Sequence, residues 1–409
     1  MDELNTQTSN FLALLGRLVN PEAAGSLSAP VDWTEIFRLA GEHNVSALIF
    51  DTASELPEFL ACPAYSSYMA EAMEQVVYQA RQTDAFLELY RAFSENGLYP
   101  IVMKGIVCRQ LYGEYCDHRP SGDEDILIRK EDFELAERIL KEQGYFHEHS
   151  QITLKELEEL QEVTFLNAET QLVIELHINP FGHENHLRRR MNDLFRNVFE
   201  NYREIEVNGT VLHTMNHTDH FLFLILHVFR HWTASGFGIR QALDILLYEK
   251  QFGEEIDREY IRAALEDIGA VEFLTDLICI GNQYLAFSLP VFGKPNCPEE
   301  LLDDIMHSGA FGNSTQAQRT AVHMTSAAIS PSKHRGKAAV LWLAIFPSRA
   351  QLLSLHPELQ RKPWLLPVRW VQRWGRFLRH SRENDGSLMK ESMKISRRRM
   401  ELLRKYKVI

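Results

Sequence analysis

Three acids stand out in this chain by type and spacing. Asp123 and Asp125 flank Glu124 directly ahead of the apolar run Ile126-Leu127-Ile128. In an extended strand alternate side chains share a face, so Asp123 and Asp125 point one way and Glu124 the other. Two carboxylates held that close repel each other in a low dielectric unless a cation lies between them. Oxygen ligands of this kind suit a hard ion, Mg²⁺ or Mn²⁺. A third acid, Glu175, interrupts the apolar run Leu172–Ile178. There Leu172, Ile174, Leu176 and Ile178 share one face, and Val173, Glu175 and His177 share the other. An acid in the middle of such a strand is costly unless it is paired or functional.

The elements that must position these acids are legible around them. Tyr99–Met103 is short and β-branched enough for a buried strand, ended by Lys104-Gly105. Ile106, Val107, Gln110, Leu111 and Tyr115 predict a helix to about Tyr115, and a polar loop from Asp117 to Gly122 leads into the acidic strand. Glu131–Gln143 reads as an amphipathic helix closed by Gly144. Two hairpins follow. One turns at Asn167–Thr170, and the other at Asn208-Gly209, between Arg203–Val207 and Thr210–Leu212.

Taken together, these motifs are specific. The strand, Lys104-Gly105, the helix, the run Arg119-Pro120-Ser121-Gly122-Asp123-Glu124-Asp125, the helix ending at Gln143-Gly144-Tyr145-Phe146, and Glu175-Leu176-His177 resemble bacterial nucleotidyltransferase family proteins of the polymerase-β-type nucleotidyltransferase superfamily. The resemblance covers residues 98–180 and continues more loosely through His227, Arg240 and Asp244. It implies an α+β fold: a small mixed β-sheet nucleotidyltransferase core flanked by N-terminal helices and a C-terminal helical region. It also implies that Asp123, Asp125 and Glu175 are the catalytic and metal-binding carboxylates, with Gly105 the glycine of the first motif. The chain departs from the usual pattern in two places: Ile106 follows Gly105, and Gly122 separates Ser121 from Asp123.

The activity expected on that basis is metal-dependent transfer of a nucleoside monophosphate from an NTP to an unidentified acceptor hydroxyl, with release of pyrophosphate. The cofactor would be Mg²⁺ or Mn²⁺, and the acceptor a small molecule, a protein or an RNA. Lys104, Gly105, Arg119 and Ser121 are the nucleotide-binding expectations. Lys104 and Arg119 are chosen by position and charge, and the backbone N–H groups at Gly105 and the start of the next helix would cradle phosphate. Three rival readings compete. One is a glycosyltransferase whose Asp-x-Asp holds a nucleotide sugar through a metal, although such folds place several β-α units ahead of that motif and only one precedes it here. Another keeps the fold and binds nucleotide or a partner without chemistry. The third is a scaffold that engages membrane or polysaccharide machinery through a basic tail.

Length and composition bound the rest. The 409 residues allow two or three domains, and 45% hydrophobic with 24% charged residues is ordinary for a globular protein. The division expected is 1–97 N-terminal helical, 98–215 nucleotidyltransferase core, 216–350 helical and 351–409 basic tail. Among the N-terminal helices, Tyr65–Glu95 reads as one long helix whose stripe of Met69, Met73, Val76, Val77, Ala80, Phe86, Leu87 and Tyr90 packs on the sheet. His217–Trp232 reads as a further helix, with His227 expected to face Asp244 or Arg240 as a satisfied polar contact. Residues 308–336 read as a loop-rich connection or lid.

A net charge of −13 argues against general nucleic-acid binding over the whole surface. Val368–Ile409 differs, with 13 Lys/Arg against 4 Asp/Glu. Trp370, Trp374, Phe377 and Leu378 interleave there with Arg369, Arg373, Arg376 and Arg379, as in a basic amphipathic helix. That helix would dock on the acidic body, or contact an anionic membrane or RNA. Five scattered cysteines without a CxxC pair, no secretory signal and no apolar run long enough to span a membrane lead to the expectation of a cytoplasmic protein.

Overall fold

The computed structural model describes residues 5–22, 25–147, 157, 162–182, 186–309, 346, 352, 362–372 and 387–408. The chain divides into two compact units, Met1–Phe229 with Ile239–Pro298, and Arg230–Gly238 with Glu299–Ile409. The boundaries expected at 97/98 and 215/216 both fall inside the first unit.

In chain order the first unit opens with helices α1 (Thr6–Val19), α2 (Trp33–Glu42), α3 (Ser46–Ser54), α4 (Pro57–Leu60) and α5 (Tyr65–Glu95). Asp32 caps α2 by accepting the Glu35 N–H at 3.1 Å. Strand β1 (Ile101–Val102), helix α6 (Ile106–Arg109), β2 (Glu124–Leu127), α7 (Phe133–Glu142), β3 (Tyr145–Phe146), β4 (Val163–Asn167) and β5 (Val173–His177) follow. After α8 (His186–Asp193) come β6 (Tyr202–Val207), β7 (Thr210–Met215) and α9 (His217–Ala234), then α10 (Ile239–Phe252), α11 (Arg258–Ile268) and α12 (Val271–Tyr284).

The strands form one mixed sheet of seven in the order β3-β4-β5-β2-β1-β7-β6. β1 runs parallel to β7 and β2 parallel to β5, while the remaining pairs are antiparallel. The architecture is thus mixed α and β, with a sheet larger than the small one expected. The β6–β7 hairpin turns where Asn208 and Gly209 both take positive φ, as the Asn-Gly pair demands. Beneath the sheet, Phe86, Tyr90 and Phe93 of α5 meet Phe133, Ile139 and Leu140 of α7 and the inward residues Ile126, Phe165, Ile174 and Leu176.

Two local expectations are corrected. The helix predicted from Ile106 to Tyr115 is one α turn followed by 3-10 winding over Gln110–His118, broken where Gly113 takes φ 58. In α5 the expected stripe is buried only in the C-terminal half, at Phe86, Leu87 and Tyr90, whereas Met69, Met73 and Val77 are exposed. A 31-residue helix runs about 46 Å at 1.5 Å per residue, farther than the short strands it covers.

In the second unit, α13 (Pro298–Ser308) and α14 (Ser387–Lys405) carry opposite charges. Arg399 meets Asp304 at 3.0 Å, Arg398 pairs with Asp303, and Lys405 pairs with Glu300. Part of the basic tail is therefore neutralised by an acidic helix of its own unit. The stretch of the expected tail helix at 373–386, and most of the expected loop at 308–336, lie outside the described residues. Among the described residues no helix is long and apolar enough to cross a membrane.

Candidate active site

The site is made by two neighbouring parallel strands. In the β2–β5 register Asp125 stands opposite Glu175 and Leu127 opposite His177. Paired residues in a ladder point to the same face, so the Asp125 and Glu175 carboxylates lie side by side although 50 positions separate them in the chain. His177, two residues beyond Glu175, shares their face for the same reason. Its Nε2 lies 3.2 Å from Asp125 Oδ1 and 3.7 Å from Glu175 Oε2. Asp125, Glu175 and His177 each offer one ligand atom, all within 4.8 Å of one another.

A lysine supplies the cation that the carboxylate pair requires. Lys104 Nζ lies 3.0 Å from Asp125 Oδ2 and 3.7 Å from Asp123 Oδ1. Asp123 sits at the mouth with 34% of its side chain exposed, and Asp125 lies beneath it at 3%. Burial works against charge at all these groups, and the contacts decide the outcome. Burial alone would raise the Asp125 carboxyl, but the Lys104 ammonium and His177 hold it well below its ordinary range. Burial would lower His177, but its contacts with the Asp125 and Glu175 carboxylates carry it up to about 9. Glu175 receives less help; burial, with the charges of Asp125 and Asp123, lifts it to about 7.

The opposite face of β2 has a structural job. Glu124 Oε1 accepts from Arg109 at 2.7 Å, Glu124 Oε2 accepts the Ile106 N–H at 2.7 Å, and both side chains are 1% exposed. The strand alternation thus separates Asp123 and Asp125, on the face shared with Glu175, from Glu124, which caps α6. The N–H expected to help cradle phosphate at the start of α6 is occupied by Glu124 instead. A carboxylate from the neighbouring strand reaches it first, and the turn before α6 holds Gly105 at φ 65.

Other expected residues are also placed differently. Arg119 is buried against Asp244, with Nε and one terminal nitrogen donating to the two carboxylate oxygens at 3.1 and 2.6 Å. Its remaining terminal nitrogen donates to Ser121 Oγ at 2.6 Å, and the Ser121 N–H donates to Gln79 Oε1 at 2.7 Å. Tyr112 completes the network by donating its hydroxyl to Asp244 at 2.9 Å. Arg119 and Ser121, expected at the phosphates, are engaged in fixing the loop ahead of Asp123. Of the two partners expected for His227, Asp244 pairs with Arg119 and Arg240 donates to the Pro120 carbonyl, while the His227 ring lies 5.6 Å from that of Phe223.

Of the seven residues expected at the site, Lys104, Asp123, Asp125 and Glu175 come together. Sequence reasoning placed His177 on the right face without assigning it a role. The signal was its two-residue spacing from Glu175.

The donor set fits a divalent ion. Two carboxylates and an imidazole converge, and the ammonium of Lys104, 3.0 Å from Asp125 Oδ2, already holds a positive charge against them. Carboxylate oxygens suit a hard divalent ion, and the imidazole adds a nitrogen donor.

A family model described as "Uncharacterised nucleotidyltransferase" matches residues 29–286. No curated protein and no solved structure matches the chain.

Proposed function

Because the chain belongs to this nucleotidyltransferase family, more than half of it being matched, we propose that it moves a nucleoside monophosphate from an NTP to an acceptor hydroxyl and releases pyrophosphate. The observation that carries this reading is the pairing of Asp125 with Glu175 across β2 and β5, beside Asp123. The acceptor is a small molecule, a protein or an RNA end bearing the hydroxyl.

In the transfer, the acceptor oxygen forms a bond to the α-phosphorus and the bond from that phosphorus to the bridging oxygen breaks, so both outer phosphates depart as pyrophosphate. Asp123, Asp125, Glu175 and His177 would hold Mg²⁺ or Mn²⁺, which supplies positive charge to the phosphate oxygens. A Glu175 carboxylate oxygen that the ion leaves free would take the hydroxyl proton. Lys104, beside Asp123 and Asp125, would contact the triphosphate. Burial of Asp125 keeps water from screening these charges.

The test incubates the purified protein with each α-labelled NTP, Mg²⁺ or Mn²⁺, and small-molecule, protein and RNA fractions as acceptors. Label transfer with stoichiometric pyrophosphate, lost by at least about a hundredfold in Asp125→Asn and Glu175→Gln with folding intact, is the expected result. Wild-type turnover in the Asp123→Asn/Asp125→Asn double variant, or transfer from a nucleotide sugar instead, would overturn the proposal.

A further inference from the structure

Above the loop that precedes Asp123, the second residue of α10 brings in a charge with no counter-charge of its own. Arg240 is 9% exposed, and one of its terminal nitrogens donates to the Pro120 carbonyl oxygen. Its Nε, fully buried, has no hydrogen-bond partner. Among the described residues no carboxylate lies within ion-pairing distance of it. The acid one helical turn away, Asp244, has both oxygens taken by Arg119, with the Tyr112 hydroxyl added on one of them.

Two guanidinium groups thus share one carboxylate inside the protein. A buried charge without a partner is strongly unfavourable, and proteins retain one where a ligand completes it. Burial and then the neighbouring Arg119 charge lower the Arg240 pKa, while Asp244, Tyr112 and Asp123 raise it. The Pro120 carbonyl that Arg240 holds is three residues from Asp123.

We propose that Arg240 is the receptor for a phosphate group of the bound nucleotide, its guanidinium completing an anion site next to the Asp123–Asp125 carboxylates. This rests on the nucleotidyltransferase reading for the identity of the anion. Arg240 takes the role that sequence position suggested for Arg119. The reason is chemical: Arg119 is already neutralised by two bonds to Asp244, whereas Arg240 keeps a buried Nε without a partner. A guanidinium is also the side chain whose planar fork matches phosphate oxygens.

The test is metal-free titration of the full chain with inorganic tripolyphosphate, followed by calorimetry, for wild type, Arg240→Gln and Arg240→Lys. Arg240→Gln is expected to weaken binding at least tenfold, with Arg240→Lys in between. Its unfolding midpoint should stay the same or rise, because an uncompensated buried charge has been removed. Wild-type affinity in Arg240→Gln, or no binding of tripolyphosphate by the wild type, overturns the proposal. Should Arg240→Gln not fold, a wild-type crystal soaked with tripolyphosphate decides. A phosphate oxygen within hydrogen-bonding distance of the guanidinium supports the site, and phosphate bound elsewhere overturns it. The two readings fail separately. Tripolyphosphate binding that depends on Arg240, in a protein that transfers no nucleotide, keeps the anion site and sinks the transferase. Nucleotide transfer with an unchanged KM for NTP in Arg240→Gln does the reverse.

Discussion

The Glu124 carboxylate occupies the space a side chain at Gly105 would need. A Cβ built on Gly105 stands 2.6 Å from the Glu124 carboxyl carbon, and the backbone there has φ 65. The glycine and the acid are therefore one device. The missing side chain lets Glu124 reach the Ile106 N–H and Arg109, and that pair of bonds fixes the turn carrying Lys104 toward Asp125.

The first prediction follows from that relationship. Gly105→Ala must both strain the backbone and displace a buried, ion-paired carboxylate. The expected loss is about 3 kcal/mol or more of unfolding free energy. Urea denaturation monitored by far-UV circular dichroism measures it. A midpoint equal to wild type would show that the turn relaxes without cost.

Lys104 provides the second. Its ammonium lies between Asp123 and Asp125, so a divalent ion at those carboxylates competes with it. Lys104→Met is expected to tighten Mn²⁺ binding by roughly tenfold, about 1.4 kcal/mol. Electron paramagnetic resonance titration of free Mn²⁺ reads this without any turnover. Equal affinities would mean that the lysine does not share the metal's position.

The third concerns acid stability. His220 is fully buried, and its Nδ1 lies 3.5 Å from Thr214 Oγ1. Burial, helped by the nearby Arg203 charge, lowers it from the ordinary 6.5 to about 3. Between those values the unfolded chain binds a proton that the folded chain does not. Stability from this group is therefore complete above about pH 6.5 and is lost as pH falls toward 3. The slope would be at most about 1.4 kcal/mol per pH unit in that window. Comparing wild type and His220→Phe by urea unfolding from pH 7 to pH 4 isolates it. The wild type should lose stability faster than the variant, and parallel curves would contradict the assignment.

Local features of the site were readable before any coordinates. The separation of Asp123 and Asp125 from Glu124, and of Glu175 and His177 from Ile174 and Leu176, follows from strand alternation, a property of consecutive residues alone. The hairpin at Asn208-Gly209 and the Asp32 cap belong to the same class, since each depends on a few neighbouring backbone angles or one short hydrogen bond.

What the tertiary structure decided are the partnerships between distant residues. The register setting Asp125 against Glu175 depends on how two separated strands align, and no local rule specifies that. Charge partners are chosen the same way. Arg119 and Arg240 look equivalent in a sequence, yet Asp244 satisfies the first and leaves the second with an unpartnered Nε. Lys104 reads as a phosphate ligand from its position, and only folding puts its ammonium between two acids. The sequence by itself determined which side chains share a face, because alternation is set by bonded neighbours. The folded chain decided which charges meet, because Coulomb energies depend on distance in space and on the water excluded around them.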